Sequence, residues 1–231
     1  MAMARVKVKG TIVPNDDKWI YDWFGIEAVC PLDIERAIAE ANGEMLSVEV
    51  NSGGGDVFAG NEIYYLLAQY PGETVADITG FAGSAATIIC CGADRVRAVP
   101  GALYMIHNVS GSAQGDHRAM TKKADVLKTA NQSISNIYRM KTGMEDAELL
   151  ALMEKESWMD AREAREKGFI DEIIGDTGRI YNACYATVLS PEVLDKIRNT
   201  VTHQDETDPD FFMQRNKLEL LKLKGEMRNE I

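Results

Sequence analysis

Apolar and polar positions along the chain follow two alternating periods. Residues 5–13 set Val6 and Val8 against Lys7 and Lys9 before turning apolar, the two-residue period of a strand. Residues 14–30 hold Trp19, Tyr21, Trp23 and Phe24 without a period and are expected to be irregular. From Pro31 to Asn42 the period lengthens: Ile34, Ala37, Ile38 and Ala41 share one helical face, and Gly43 is the expected stop. A short strand at 46–50 runs into Gly53-Gly54-Gly55, read as a loop of unusual backbone freedom. A helix over 57–69 follows, ended by Pro71-Gly72. The cycle then repeats, with a strand at 74–79, a turn at 80–83 and a small-residue helix at 84–92. Strands are predicted at 95–99 and 102–106, a long helix at 116–141, shorter helices at 145–154 and 160–167, and a last strand at 169–174.

Strand, glycine turn and helix recurring in this order predict an α/β fold of βα units. The domain is expected over residues 1–180, a C-terminal extension with an acidic linker over 181–210, and an amphipathic helix or tail over 211–231. A net charge of −11 argues against nucleic acid as a partner, because phosphate binding needs clustered Lys and Arg. Cys30, Cys90, Cys91 and Cys184 lack zinc-site spacing and read as reduced, mostly buried thiols. No window has the length and apolarity of a signal peptide or a transmembrane helix. A cytoplasmic protein without a membrane partner is the expectation.

Three segments carry candidate chemistry. Ser84 lies between Gly83 and Ala85 after a strand and at the start of a helix. A tight turn there exposes the hydroxyl, and the helix start behind it offers free N–H groups, that of Ala85 first. From this segment alone Ser84 reads first as a helix N-cap. The glycines 53–55 lack the Gly-Lys-Ser/Thr of a phosphate loop, which leaves an oxyanion donor, a substrate-strand edge or a plain turn. His107 ends an apolar strand, whereas His117 and His203 sit in polar segments. It is therefore the natural base for a serine hydroxyl. With 36 acidic residues, composition does not select a third member; Glu156, beside Trp158, stands out slightly.

Together these segments resemble the Clp protease proteolytic subunit family. The matching pieces are Asn51 to Gly55 with Ala59-Gly60 downstream, Gly80 to Ala86, Met105-Ile106-His107, and Glu156 to Ala161 leading into Glu163-Ala164, Gly168 and Asp171. They cover about residues 44–175, in family order. The resemblance implies a ClpP/crotonase-like fold with a protruding handle helix at 116–141, through which rings of identical subunits stack into a chamber. It implies a serine endopeptidase with Ser84 as nucleophile, His107 as base, and the N–H groups of Gly55 and Ala85 as oxyanion hole. The family's aspartate aligns with Glu156, one methylene longer, with Asp160 in reserve. No metal or cofactor is implied. Peptides or proteins are the expected substrates, with an ATPase unfoldase or capsid proteins as possible partners. Gly53 stands where the family has proline, and residues 1–30 do not match its axial-loop segment. The tail around Leu220 to Gly225 resembles phage-encoded relatives associated with prohead maturation. A crotonase-type acyl-CoA enzyme and a non-catalytic capsid-assembly protein are the competing expectations.

Overall fold

The structure is a computed structural model that describes residues 4–175. The extension expected at 181–210, the tail at 211–231, Cys184 and His203 lie outside the described residues. Among the described residues eight strands form one sheet: β1 (Ala4–Ile12), β2 (Ala28–Val29), β3 (Leu46–Gly55), β4 (Thr74–Gly83), β5 (Arg95–Ala98), β6 (Leu103–Ile106), β7 (Ser157–Asp160) and β8 (Glu172–Ile173). The main path runs β2-β1-β3-β4-β5-β8, and every pairing on it is parallel. β4 pairs with β5 along its first half, through Val75 to Ile78, and with β6 along its second, through Phe81 to Gly83. β6 then takes β7 as an antiparallel neighbour. The helices are α1 (Lys18–Trp23), α2 (Pro31–Ala41), α3 (Val57–Ala68), α4 (Ala85–Cys91), α5 (His117–Thr142), α6 (Asp146–Glu154) and α7 (Ala161–Glu166).

Parallel strands covered by helices bury both faces, so their sequences read as near-continuous apolar runs. Val48, Val50, Ala76, Ile78, Val96 and Ala98 are accordingly fully buried. Helices α3 and α4 pack closely at Gly60, where an added Cβ would sit 3.0 Å from the Ala85 Cβ. This contact holds the start of α4 against the start of α3.

Five expectations change. Residues 14–30 are ordered, with a 3-10 turn at Asn15–Asp17 followed by α1 and β2. The glycines 53–55 are the end of β3, not a loop, and 80–83 are the end of β4, not a turn. Both strands shift register between Val50 and Ser52, and Asn51 Oδ1 bridges the irregularity by accepting from the Phe81 N–H at 3.1 Å. Residues 157–160 form the unforeseen strand β7, and Asp160 caps α7. The last strand shortens to β8.

The long helix α5 starts at Asp116, whose carboxylate accepts from the Arg118 and Ala119 N–H groups, and ends at Gly143 in the left-handed conformation. Its 26 residues span about 39 Å at 1.5 Å each. Its buried positions are Ile134, Ser135, Ile137 and Tyr138, all near the C-terminal end. Ahead of these, Lys123, Leu127 and Ala130 are half-buried on one face, and the opposite face of the helix is exposed.

Candidate active site

Ser84 stands between the end of β4 and the start of α4 with φ 53° and ψ −125°. A serine acting as N-cap adopts extended backbone and bonds a first-turn N–H. Ser84 does neither: its side chain makes no capping bond. A non-glycine residue in this region costs about 1–3 kcal/mol, which surrounding structure has to offset. Here the Ser84 N–H donates to Met105 O at 2.9 Å, while its carbonyl accepts from the Thr87 N–H and hydroxyl at 2.9 and 2.6 Å. The Thr87 hydroxyl bonds in turn to the Tyr138 hydroxyl at 2.7 Å, tying the turn to α5. Burial pushes the Tyr138 phenol well above its usual range, so it stays a neutral hydroxyl.

The hydroxyl freed from capping meets His107: Ser84 Oγ and His107 Nε2 lie 2.8 Å apart. His107 follows β6 directly. Asn108 N–H donates to Met153 O at 3.2 Å and Val109 N–H to Asn131 Oδ1 at 2.8 Å, which fixes the chain leaving the imidazole. Ser84 and His107 reach each other because β4 and β6 are paired neighbours, Gly83 opposite Met105.

Gly55 and Ala85 border the same cavity of about 230 Å³ as Ser84 and His107. Gly55 has φ +152°, and a Cβ there would lie 2.1 Å from Ile12 O; no side chain fits. At Gly54 a Cβ would come within 2.9 Å of the Ala85 N. The glycine strand therefore passes directly beside the Ala85 amide. Ser52 Oγ holds this strand, donating to Gly10 O at 2.6 Å and accepting from the Gly54 N–H at 3.1 Å. The Asp56 N–H, not that of Gly55, donates to Ile12 O at 2.8 Å.

Glu156 is placed by register. In the β6–β7 pair, Met105 faces Trp158 and Ile106 faces Ser157, so one further step sets His107 across from Glu156. The carboxylate itself is exposed and turned aside: Trp158 Nε1 donates to its Oε1 at 3.3 Å. Among the described residues it makes no hydrogen bond to His107. Residue 156 also has φ 50°. The reserve acid is corrected: Asp160 lies at the far end of β7, opposite Leu103, and its Oδ1 accepts from the Arg162 and Glu163 N–H groups. Its carboxylate serves α7. Asp171 also has a structural post, accepting from the Val96 N–H and Lys141 Nζ, each at 2.7 Å.

Lys123, Leu127 and Tyr138 also line the cavity, all from α5. Nothing in the sequence marks them, since they reach the site only through the packing of a helix that begins after it. Among the described residues no group of His, Cys, Asp and Glu side chains is placed to hold a metal ion.

Residues 36–177, more than half of the chain, match the Clp protease family model. The chain belongs to the Clp protease family. It is 28% identical over 141 residues to the ATP-dependent Clp protease proteolytic subunit of Chlorella vulgaris, covering 60% of this chain and 70% of that one. It is 31% identical over 134 residues to the subunit of the same description from Bacteroides fragilis, covering 57% and 65%. A point mutant of ClpP1 from Listeria monocytogenes has a similar structure, with a TM-score of 0.62 and 20% identity over 76% of this chain and 93% of that one. That likeness is one of fold, and it agrees with the Clp-type α/β architecture described above. Among the described residues no helix is long and apolar enough to cross a membrane.

Proposed function

We propose that this Clp-family chain is a serine endopeptidase with Ser84 as nucleophile and His107 as general base. The carrying observation is the 2.8 Å contact between Ser84 Oγ and His107 Nε2, made by a serine that is strained and does not cap its helix. With Nδ1 protonated, His107 Nε2 accepts the Ser84 proton as Oγ attacks the peptide carbonyl. The oxyanion enters the space bordered by the Gly55 and Ala85 N–H groups, where losing one donor typically costs about 2.7–4 kcal/mol. The imidazolium then protonates the leaving amine, and water hydrolyses the acyl-enzyme. Glu156 is the acid of this mechanism. Its post across from His107 supports that role, and its carboxylate has to exchange the Trp158 N–H for the His107 Nδ1–H. The chemistry calls on no metal or organic cofactor.

The substrates are peptides or unfolded protein segments. The ends of β3 and β4 beside Ser84 suit a peptide bound as an added strand, read mainly through its backbone. The subunits assemble as a homo-oligomeric ring or stacked rings. The exposed face of α5, which carries Met120 and Val126, supports its role as the stacking handle. Capsid maturation in a phage-infected cytoplasm is the biological setting we favour, with an ATPase-partnered degradation subunit as the neighbouring possibility.

Ser84→Ala tests the reading. The variant is expected to keep its fold and oligomeric mass and to lose peptide cleavage by on the order of 10⁴-fold or more. Cleavage at the wild-type rate would overturn the assignment. A non-catalytic assembly protein would show no cleavage in either form, and a crotonase-type enzyme would bind CoA thioesters instead.

A further inference from the structure

The cavity beside Ser84 is apolar over much of its wall, with Ile88, Leu127 and Ile134 among its lining residues. Lys123 is the exception. It reaches the same cavity from α5 and is half-buried. Its head group lies against the loop that follows His107: a Cβ on Gly111 would lie 2.8 Å from Lys123 Nζ and 3.0 Å from its Cε. The loop after His107 and α5 thus flank the amine on two sides.

Among the described residues Lys123 has no ion-pair partner. The one acid within α5, Asp125, pairs with Lys128 at 3.9 Å, and Asp116, its cap, pairs with Arg118 at 3.2 Å. The other charged residue of the lining, Asp56, caps α3 by accepting from the Ala59 N–H at 2.8 Å. Its charge faces the positive end of that helix. The cavity thus presents a methylene stem along an apolar wall and one unmatched cation.

We propose that Lys123 makes this cavity select peptides with a carboxylate side chain, glutamate above all, immediately before the scissile bond. This rests on the peptidase reading of Ser84. A substrate carbonyl held at Ser84 Oγ and the Gly55 and Ala85 amides directs the preceding side chain into the space these residues share. The methylenes of a glutamate lie against the apolar wall, and its carboxylate forms a charge-assisted hydrogen bond with Lys123 Nζ. A neutral or cationic side chain leaves the amine unpaired or repelled, which is how a pocket rejects the wrong substrate.

Internally quenched peptides that differ only at this position, as Glu, Gln, Leu or Lys, test the proposal on the full chain. The wild type is expected to cleave after Glu with kcat/KM about tenfold or more above Gln. Lys123→Met brings the Glu-to-Gln ratio close to one, Lys123→Arg retains the preference, and Lys123→Glu moves it toward Lys. Raising the salt from about 0.05 to about 0.5 M lowers the wild-type ratio by screening the pair, a readout that needs no variant. A wild type that cleaves after Gln or Leu as fast as after Glu overturns the proposal, as does a ratio unmoved by Lys123→Met or by salt. Labelling of each protein by a fluorophosphonate separates the two levels. A labelled Ser84 with flat selectivity removes this inference alone, and an unlabelled wild type removes the peptidase reading with it.

Discussion

At the scale of single residues, the site depends on what Ser84 and Glu156 do instead of their commonest roles. Serine before a helix is a preferred cap, and the segment around Ser84 taken alone gives no reason to prefer another role; that reason comes from its order among the other motifs. The structure separates the two through backbone conformation, φ 53° with no capping bond. Glu156 shows the opposite limit. Its place across from His107 follows from strand register, while the direction of its carboxylate depends on Trp158 two residues on. Neither the strand nor the indole contact is visible in composition. Glu156→Gln is expected to lower kcat by about 10³–10⁴-fold with little change in KM, because an amide fails to hold the imidazole tautomer and its charge. Trp158→Phe keeps a ring stacked on Phe81, now 5.2 Å away, and removes the N–H that holds Glu156 aside. Steady-state cleavage by that variant is expected to equal or exceed the wild type. A loss as large as that of Glu156→Gln would contradict the role given to Glu156.

At the scale of elements, the βα repeat was legible because its strands are buried on both faces and its helices on one, which writes two clear periods into the chain. The glycine segments were misread for a physical reason. Glycine disfavours strands and signals turns, yet 53–55 and 80–83 extend β3 and β4 because the site needs bare backbone there. β7 was missed because four residues, Ser157 to Asp160, alternate too briefly to register. The contact of α3 with α4 at Gly60 carries a prediction. Gly60→Val is expected to push the Ala85 end of α4 outward, with about 1–3 kcal/mol lost in chemical denaturation from overpacking. Labelling of Ser84 should slow in the same variant. Unchanged stability and labelling would mean that the contact does not hold the turn. Tyr138→Phe removes the buried bond to Thr87 and is expected to cost about 1 kcal/mol in the same measurement.

At the scale of the whole molecule, the described residues form a covered α/β body, with α5 lying along the site by one face and exposed on the other. Loss of hydration raises two of the body's thiols: the buried Cys90 lies well above its usual value, and the half-buried Cys91 is pushed up to about 12. Deprotonation is thus negligible near pH 8 and becomes appreciable only as pH approaches that value. In a Cys184→Ser background, an aromatic disulfide reagent is expected to react with Cys90 and Cys91 only on unfolding. Fast titration of either at pH 8 in the folded protein would contradict the upward shift of both thiols. Along α5 the exposed Met120 is the handle position to disturb. Met120→Glu is expected to shift native mass spectra toward smaller assemblies while the domain's circular dichroism stays unchanged. An unaltered assembly would place the stacking surface elsewhere.

The central claim is that Ser84 is a nucleophile activated by His107. Its most direct measurement is reaction of the intact protein with a fluorophosphonate, read by mass spectrometry and peptide mapping. The expected result is one adduct per subunit on Ser84, lost in Ser84→Ala and slowed by orders of magnitude in His107→Ala. An adduct on another residue, or labelling of Ser84 at the same rate without His107, would contradict it.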